Sequence, residues 1–96
     1  MMIKKVDILQ NYIEIIEEKK GIFGIKDHTS KIDISIIDKI ERILKNNELI
    51  GIVIWHEDTV LHAIGIKNYK SDLEEIYNKI LSNIDEKLVN VIETKL

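Results

Sequence analysis

The 96-residue chain contains no cysteine, which excludes a disulfide framework and a thiolate metal site alike. It also lacks an apolar run long enough to span a bilayer, because Lys, Glu, Asp or Asn recurs every few positions. A basic excess is missing too. The net charge is -3 and the sequence pI is near 5.6, so nucleic acid is disfavoured as the main partner. Proline is absent and alanine appears once, whereas isoleucine supplies 22 residues and lysine 13 of the 14 basic ones. We attribute that bias to an AT-rich genome; it weakens propensity arguments, since abundant isoleucine makes helices look strand-like. Residues 1–10 carry Lys4, Lys5 and Asp7 and no long apolar stretch, so no leader and a soluble, cytoplasmic protein are expected. The length suits one modest core, and residues 1–96 read as a single α/β domain.

What is present is organised around residues 50–66, which hold the one Trp and two of the three His. They read as a hairpin with Glu57 and Asp58 at its tip. If Trp55 opposes Val60, then Val53 opposes His62 and Gly51 opposes Ile64. Val53, Trp55, Val60, His62 and Ile64 then share one face, and Ile50, Ile52, Ile54, Leu61 and Ala63 share the other. A sheet apolar on both faces needs cover on both, from its own helices or from a partner, most simply a second copy.

Three capping-box spacings predict three helices. Asp7 with Gln10 opens a helix over residues 8–20, whose apolar positions recur at three and four residue steps and which Gly21 stops. Lys19 and Lys20 then read as helix-end charges. Ser35 with Asp38 opens a second helix with the stripe Ile36, Ile37, Ile40, Ile43 and Leu44, ending at Asn46 and Asn47. Ser71 with Glu74 opens a third, with Leu73, Ile76, Tyr77, Ile80, Leu81 and Ile84 inward. Between the first two, residues 21–26 and 31–34 flank the polar cluster Asp27, His28, Thr29 and Ser30 and read as a short hairpin. Residues 88–93 have β composition but also continue a helical stripe that neither Gly nor Pro interrupts. The break at Ser82, Asn83 and Asp85 favours a last strand.

The expected fold is therefore α+β: a small single-layer, mostly antiparallel sheet with helices packed on it, in the order αββαββα and a possible final strand. Gly-Ile-Phe-Gly-Ile at 21–25 and Ile-Gly-Ile-Val-Ile at 50–54 each follow a predicted helix, a weak internal echo. In element order alone the chain partly resembles small dimerising platform domains of the roadblock and longin kind, which implies a sheet that pairs with a second copy.

For chemistry, His56, Glu57, Asp58 and His62 form the candidate metal set, because imidazole and carboxylate are natural ligands for zinc and other transition metals. In the register above the two imidazoles point to opposite faces, and only a bulge at the tip changes that. The plain alternative is a solvated turn with His56 at its rim and His62 beside Trp55. A variant sets Asp27, His28, Thr29 and Ser30 beside His56, Glu57 and Asp58 as one acidic, His-containing rim. Ser30, Ser35, Ser71 and Ser82 sit in no nucleophile elbow, and Gly21-x-x-Gly24 lacks the partners of a P-loop or a dinucleotide fingerprint. Lys67, Tyr69 and Lys70 before the third helix suit a phosphate or, more plainly, a solvated loop. No cofactor is implied. The chain reads as a non-enzymatic interaction module, a homodimer or a docking partner of another protein through Val53, Trp55, Val60, His62 and Ile64. The alternative is a small-ligand or metal sensor at the hairpin tip.

Overall fold

In Tyr12–Gly21, the second strand (β2), Ile13, Ile15 and Glu17 are buried while the residues between them are at least partly open. That is the two-residue alternation of a half-buried strand. The computed structural model describes residues 2–96. Ahead of β2 stands β1 (Met2–Leu9), and after it come β3 (Gly24–Asp33), a short 3-10 turn at Ile34–Ile36, β4 (Lys39–Lys45), β5 (Glu48–His56), β6 (Thr59–Gly65), α1 (Leu73–Ser82) and β7 (Asn90–Lys95). The first three strands form an antiparallel sheet in the order β1-β2-β3. The others form a second sheet in the order β6-β5-β4-β7, antiparallel except that β7 returns through α1 to lie parallel to β4.

One core joins the two sheets and the helix. It holds Ile13, Ile15 and Ile32 from the first sheet, Ile40, Ile52, Ile54 and Ile64 from the second, and Leu73, Ile76, Tyr77 and Ile80 from α1. Each isoleucine fully removed from water contributes about 1.5–3 kcal/mol. Tyr69 also belongs to this core and bridges to Ile3, tying the loop before α1 to the first sheet. Arg42 lies between β4 and α1, its guanidinium 4.8 Å from the Tyr77 ring centre and 3.4 Å from Glu74.

The α+β expectation is overturned: among the described residues the chain is mostly sheet, with two sheets and a single α-helix, and the order αββαββα is not found. The resemblance in element order to roadblock and longin domains falls with it. The helix expected over residues 8–20 is the β1–β2 hairpin, turning at Gln10 and Asn11. The second expected helix is the 3-10 turn followed by β4, and Asp33, not Ser35, caps that turn. Residues 27–30 are paired strand within β3, and the turn lies at Ile22 and Phe23, where Gly24 supplies a φ of +117°. The third helix is present, capped by Asp72 rather than Ser71, whose carboxylate accepts from the Glu74 and Glu75 amides. The last strand is present as well.

Both misread helices take their spacing from apolar residues on either side of a turn: Tyr12 in β2 stands four residues from Ile8 and three from Leu9 in β1, Ile13 stands four from Leu9, and Ile37, just past the 3-10 turn, stands three from Ile40 in β4. β-Bulges give the same spacing elsewhere in the chain. Lys4 of β1 is skipped in the pairing with β2, Ile50 of β5 in the pairing with β4, and Leu61 of β6 in the pairing with β5, so the register slips by one at each. Across the first two, the buried pairs Ile3 and Val6, and Leu49 and Ile52, stand three residues apart. Three-residue spacing is helical by pattern, yet a bulged strand produces it too.

Candidate functional site

The bulge at Leu61 also rearranges the central hairpin. Trp55 does oppose Val60, but beyond the bulge Ile54 pairs with His62, Val53 with Ala63 and Ile52 with Ile64. His62 and Ile64 therefore share the inward face with Ile52 and Ile54. Val53, Trp55 and Val60 remain together on the outward face. By the same alternation His56 faces inward with His62.

The two imidazoles nevertheless have separate partners. The His56 Nδ1–H donates to the Ile36 carbonyl at 2.7 Å, with Asp38 3.9 Å from the same nitrogen and Glu57 3.9 Å from Nε2. Asp38 accepts the Glu57 amide at 2.7 Å. Glu57 and Asp58 have φ of 45° and 64°, the left-handed pair of a tight hairpin turn, and both side chains are exposed. His62 crosses to the other sheet, its Nε2 3.1 Å from Glu17 Oε1, and both side chains are largely shielded from solvent. Among the described residues no three His, Asp or Glu side chains converge in a way that could hold a metal ion. The rim variant is likewise not assembled: Asp27, His28, Thr29 and Ser30 pair with β2 in the first sheet, and Asp27 binds Lys4 at 3.2 Å. Lys67 and Lys70 are exposed beside the buried Tyr69, and acidic Glu74 and Glu75 open α1, a poor seat for phosphate.

Two surfaces stand out instead. The first is the outward face of the second sheet, built from alternate residues of its four strands: Lys39, Glu41 and Ile43, Val53 and Trp55, Val60 and Ala63, Ile92 and Thr94. None of these is buried. At its centre the Trp55 indole N–H donates to Glu41 Oε1 at 3.2 Å, the Thr94 hydroxyl donates to Glu41 Oε2, and the Lys39 ammonium lies 4.2 Å from the Trp55 ring centre. The second is the β2–β3 tip, Ile22 and Phe23, which sequence reading passed over. Its signal was there: two large apolar residues enclosed by glycines and lysines, where a turn ordinarily carries polar ones.

No protein-family model, curated protein or solved structure matches the chain.

Proposed function

We infer that the chain is a small non-enzymatic interaction module whose open sheet face pairs with a second copy. The observation that carries the reading is the outward face of the second sheet. The first sheet and α1 both pack on the opposite side, leaving Ile43, Val53, Trp55, Val60 and Ile92 without a covering layer. Sheet faces of this composition are ordinarily covered. Of the five residues expected to touch a partner, Val53, Trp55 and Val60 lie on this face, whereas His62 and Ile64 point inward.

A second copy suits the face because its charges are of both signs. Lys39 and Glu41 stand two residues apart on β4, and both hydrogen-bond partners of Glu41 are neutral donors. A twofold-related copy can set each against its opposite. Four strands at about 4.8 Å spacing and seven residues at about 3.4 Å give a planar footprint of about 450 Å². That is below the roughly 800 Å² per partner of a standard interface, so the dimer is expected to be weak and concentration-dependent. A cytoplasmic location belongs to the same proposal.

Light scattering over a concentration series is expected to show a reversible monomer–dimer equilibrium. Val53→Lys with Val60→Lys is expected to hold the chain monomeric at an unchanged melting temperature. A wild-type chain that stays monomeric throughout, or a dimer that survives both lysines, overturns the reading.

A further inference from the structure

Among the described residues, the two most exposed large apolar side chains are adjacent: Ile22 is 96% and Phe23 91% exposed at the tip of the β2–β3 hairpin, and Ile25 is exposed just behind. Apolar residues scattered singly are ordinary on a surface, but a contiguous group rimmed by polar ones marks an interaction site. The rim here is basic. Behind the tip, Gly21 pairs with Gly24, Lys20 with Ile25 and Lys19 with Lys26. The first acidic rung is the next one, Glu18 with Asp27, and there Lys4 already binds Asp27. Residues 19–26 thus carry three lysines and no acid in a chain whose net charge is -3.

Placement of the lysines narrows the occupant. Strand alternation sets Lys19 and Lys26 on one face of the hairpin and Lys20 on the other. Positive charge therefore surrounds the tip instead of lining one side of it. A groove on a protein would meet one face, and a nucleic acid would engage the lysines but leave the isoleucines in water. The direct Lys19–Lys26 opposition is unfavourable for the sheet by itself, and an anionic surface relieves it.

We propose that this tip is a peripheral membrane contact, with Ile22 and Phe23 entering an anionic phospholipid surface and Lys19, Lys20 and Lys26 meeting its phosphates. The Lys19–Lys26 rung stands about 10 Å behind the tip at about 3.4 Å per residue. Apolar groups of interfacial segments lie about 5–10 Å into the headgroup and acyl boundary, so the rung reaches headgroup level as the tip enters. Shallow recesses flank the hairpin, one walled by Met2, Glu18, Lys19, Lys20 and Ile25 and another by Lys19, Lys20, Gly21, Lys26, Asp27 and His28; lysines wall both, and the acid of the second, Asp27, is already paired with Lys4. No helix among the described residues is long and apolar enough to cross a membrane, and the contact needs none.

The test is cosedimentation of the full chain with vesicles of phosphatidylcholine alone and of phosphatidylcholine mixed with phosphatidylserine. Binding is expected to the mixed vesicles, at least about tenfold weaker to the neutral ones, and to fall as salt rises. Each of Lys19→Ala, Lys20→Ala and Lys26→Ala is expected to weaken it about fivefold, the equivalent of about 1 kcal/mol. Ile22→Ser with Phe23→Ser is expected to weaken it by at least about tenfold at an unchanged melting temperature, since neither side chain is buried in the fold. Phe23→Trp in a Trp55→Phe background places the one indole at the tip, and its emission is expected to move to the blue only with phosphatidylserine present. Absence of binding to the mixed vesicles, or equal binding by the serine variant, overturns the proposal. So does a serine variant that loses self-association in light scattering while the wild type ignores vesicles, which makes the occupant a second copy.

Discussion

His62 on β6 and Glu17 on β2 meet across the two sheets, with 3.1 Å between imidazole Nε2 and the carboxylate. Among the described residues Glu17 is the one buried charged residue, and only 14% of the His62 side chain and 11% of the Glu17 side chain reach solvent. A buried polar group that loses its partner costs about 1–3 kcal/mol. His62→Ala is therefore expected to destabilise by about that amount in urea unfolding, because it strands Glu17. Glu17→Gln keeps an oxygen within reach of the ring and is expected to cost less than half as much. Equal losses in the two variants would mean that the contact does not hold the sheets together.

Ile54 and Trp55 are neighbours in sequence with opposite surroundings. Ile54 is fully buried, whereas Trp55 lies half-buried on the open face, held by Glu41 and Lys39. Ile54→Ala is expected to cost about 2–5 kcal/mol, and Trp55→Ala, although it removes the larger side chain, about 1–2 kcal/mol. Urea unfolding at a concentration where the chain is monomeric measures both. A larger loss at Trp55 than at Ile54 would place the indole in the core and remove the main argument for an open face.

The central hairpin was legible from its acidic tip and its two apolar faces, and α1 from the spacing of Leu73, Ile76, Tyr77 and Ile80. The first half of the chain was not. Ile8 and Ile13 face each other across a turn at Gln10 and Asn11, and neither residue of that turn is the Gly or Pro that would have marked it. Isoleucines at 13, 15 and 16 fit a strand with one apolar residue on its outer face as well as they fit a helix. The candidate site suffered from one unpaired residue. Leu61 moves His62 and Ile64 to the inward face, and no local sequence signal distinguishes a bulged Leu from a paired one.

Asp33 offers a titration that reports on the join between the two sheets. Its carboxylate accepts the Ser35 hydroxyl at 2.7 Å and the Ser35 amide at 2.9 Å, capping the 3-10 turn that leads into β4. Both bonds favour the charged form, the hydroxyl more, and hold the Asp33 pKa below the usual 3.8, with a small opposing effect of burial. A carboxyl whose folded pKa is depressed stabilises the fold above its unfolded pKa, and that contribution fades as pH falls through the folded value. The stabilisation is therefore complete at neutral pH and lost only below about pH 4. Titration of the Asp33 side-chain carboxyl by NMR is expected to give a midpoint below 3.8 in the wild type. Ser35→Ala removes the stronger of the two bonds and is expected to move the midpoint up towards that value. An unchanged midpoint would show that the hydroxyl is turned elsewhere and that the amide alone closes the cap.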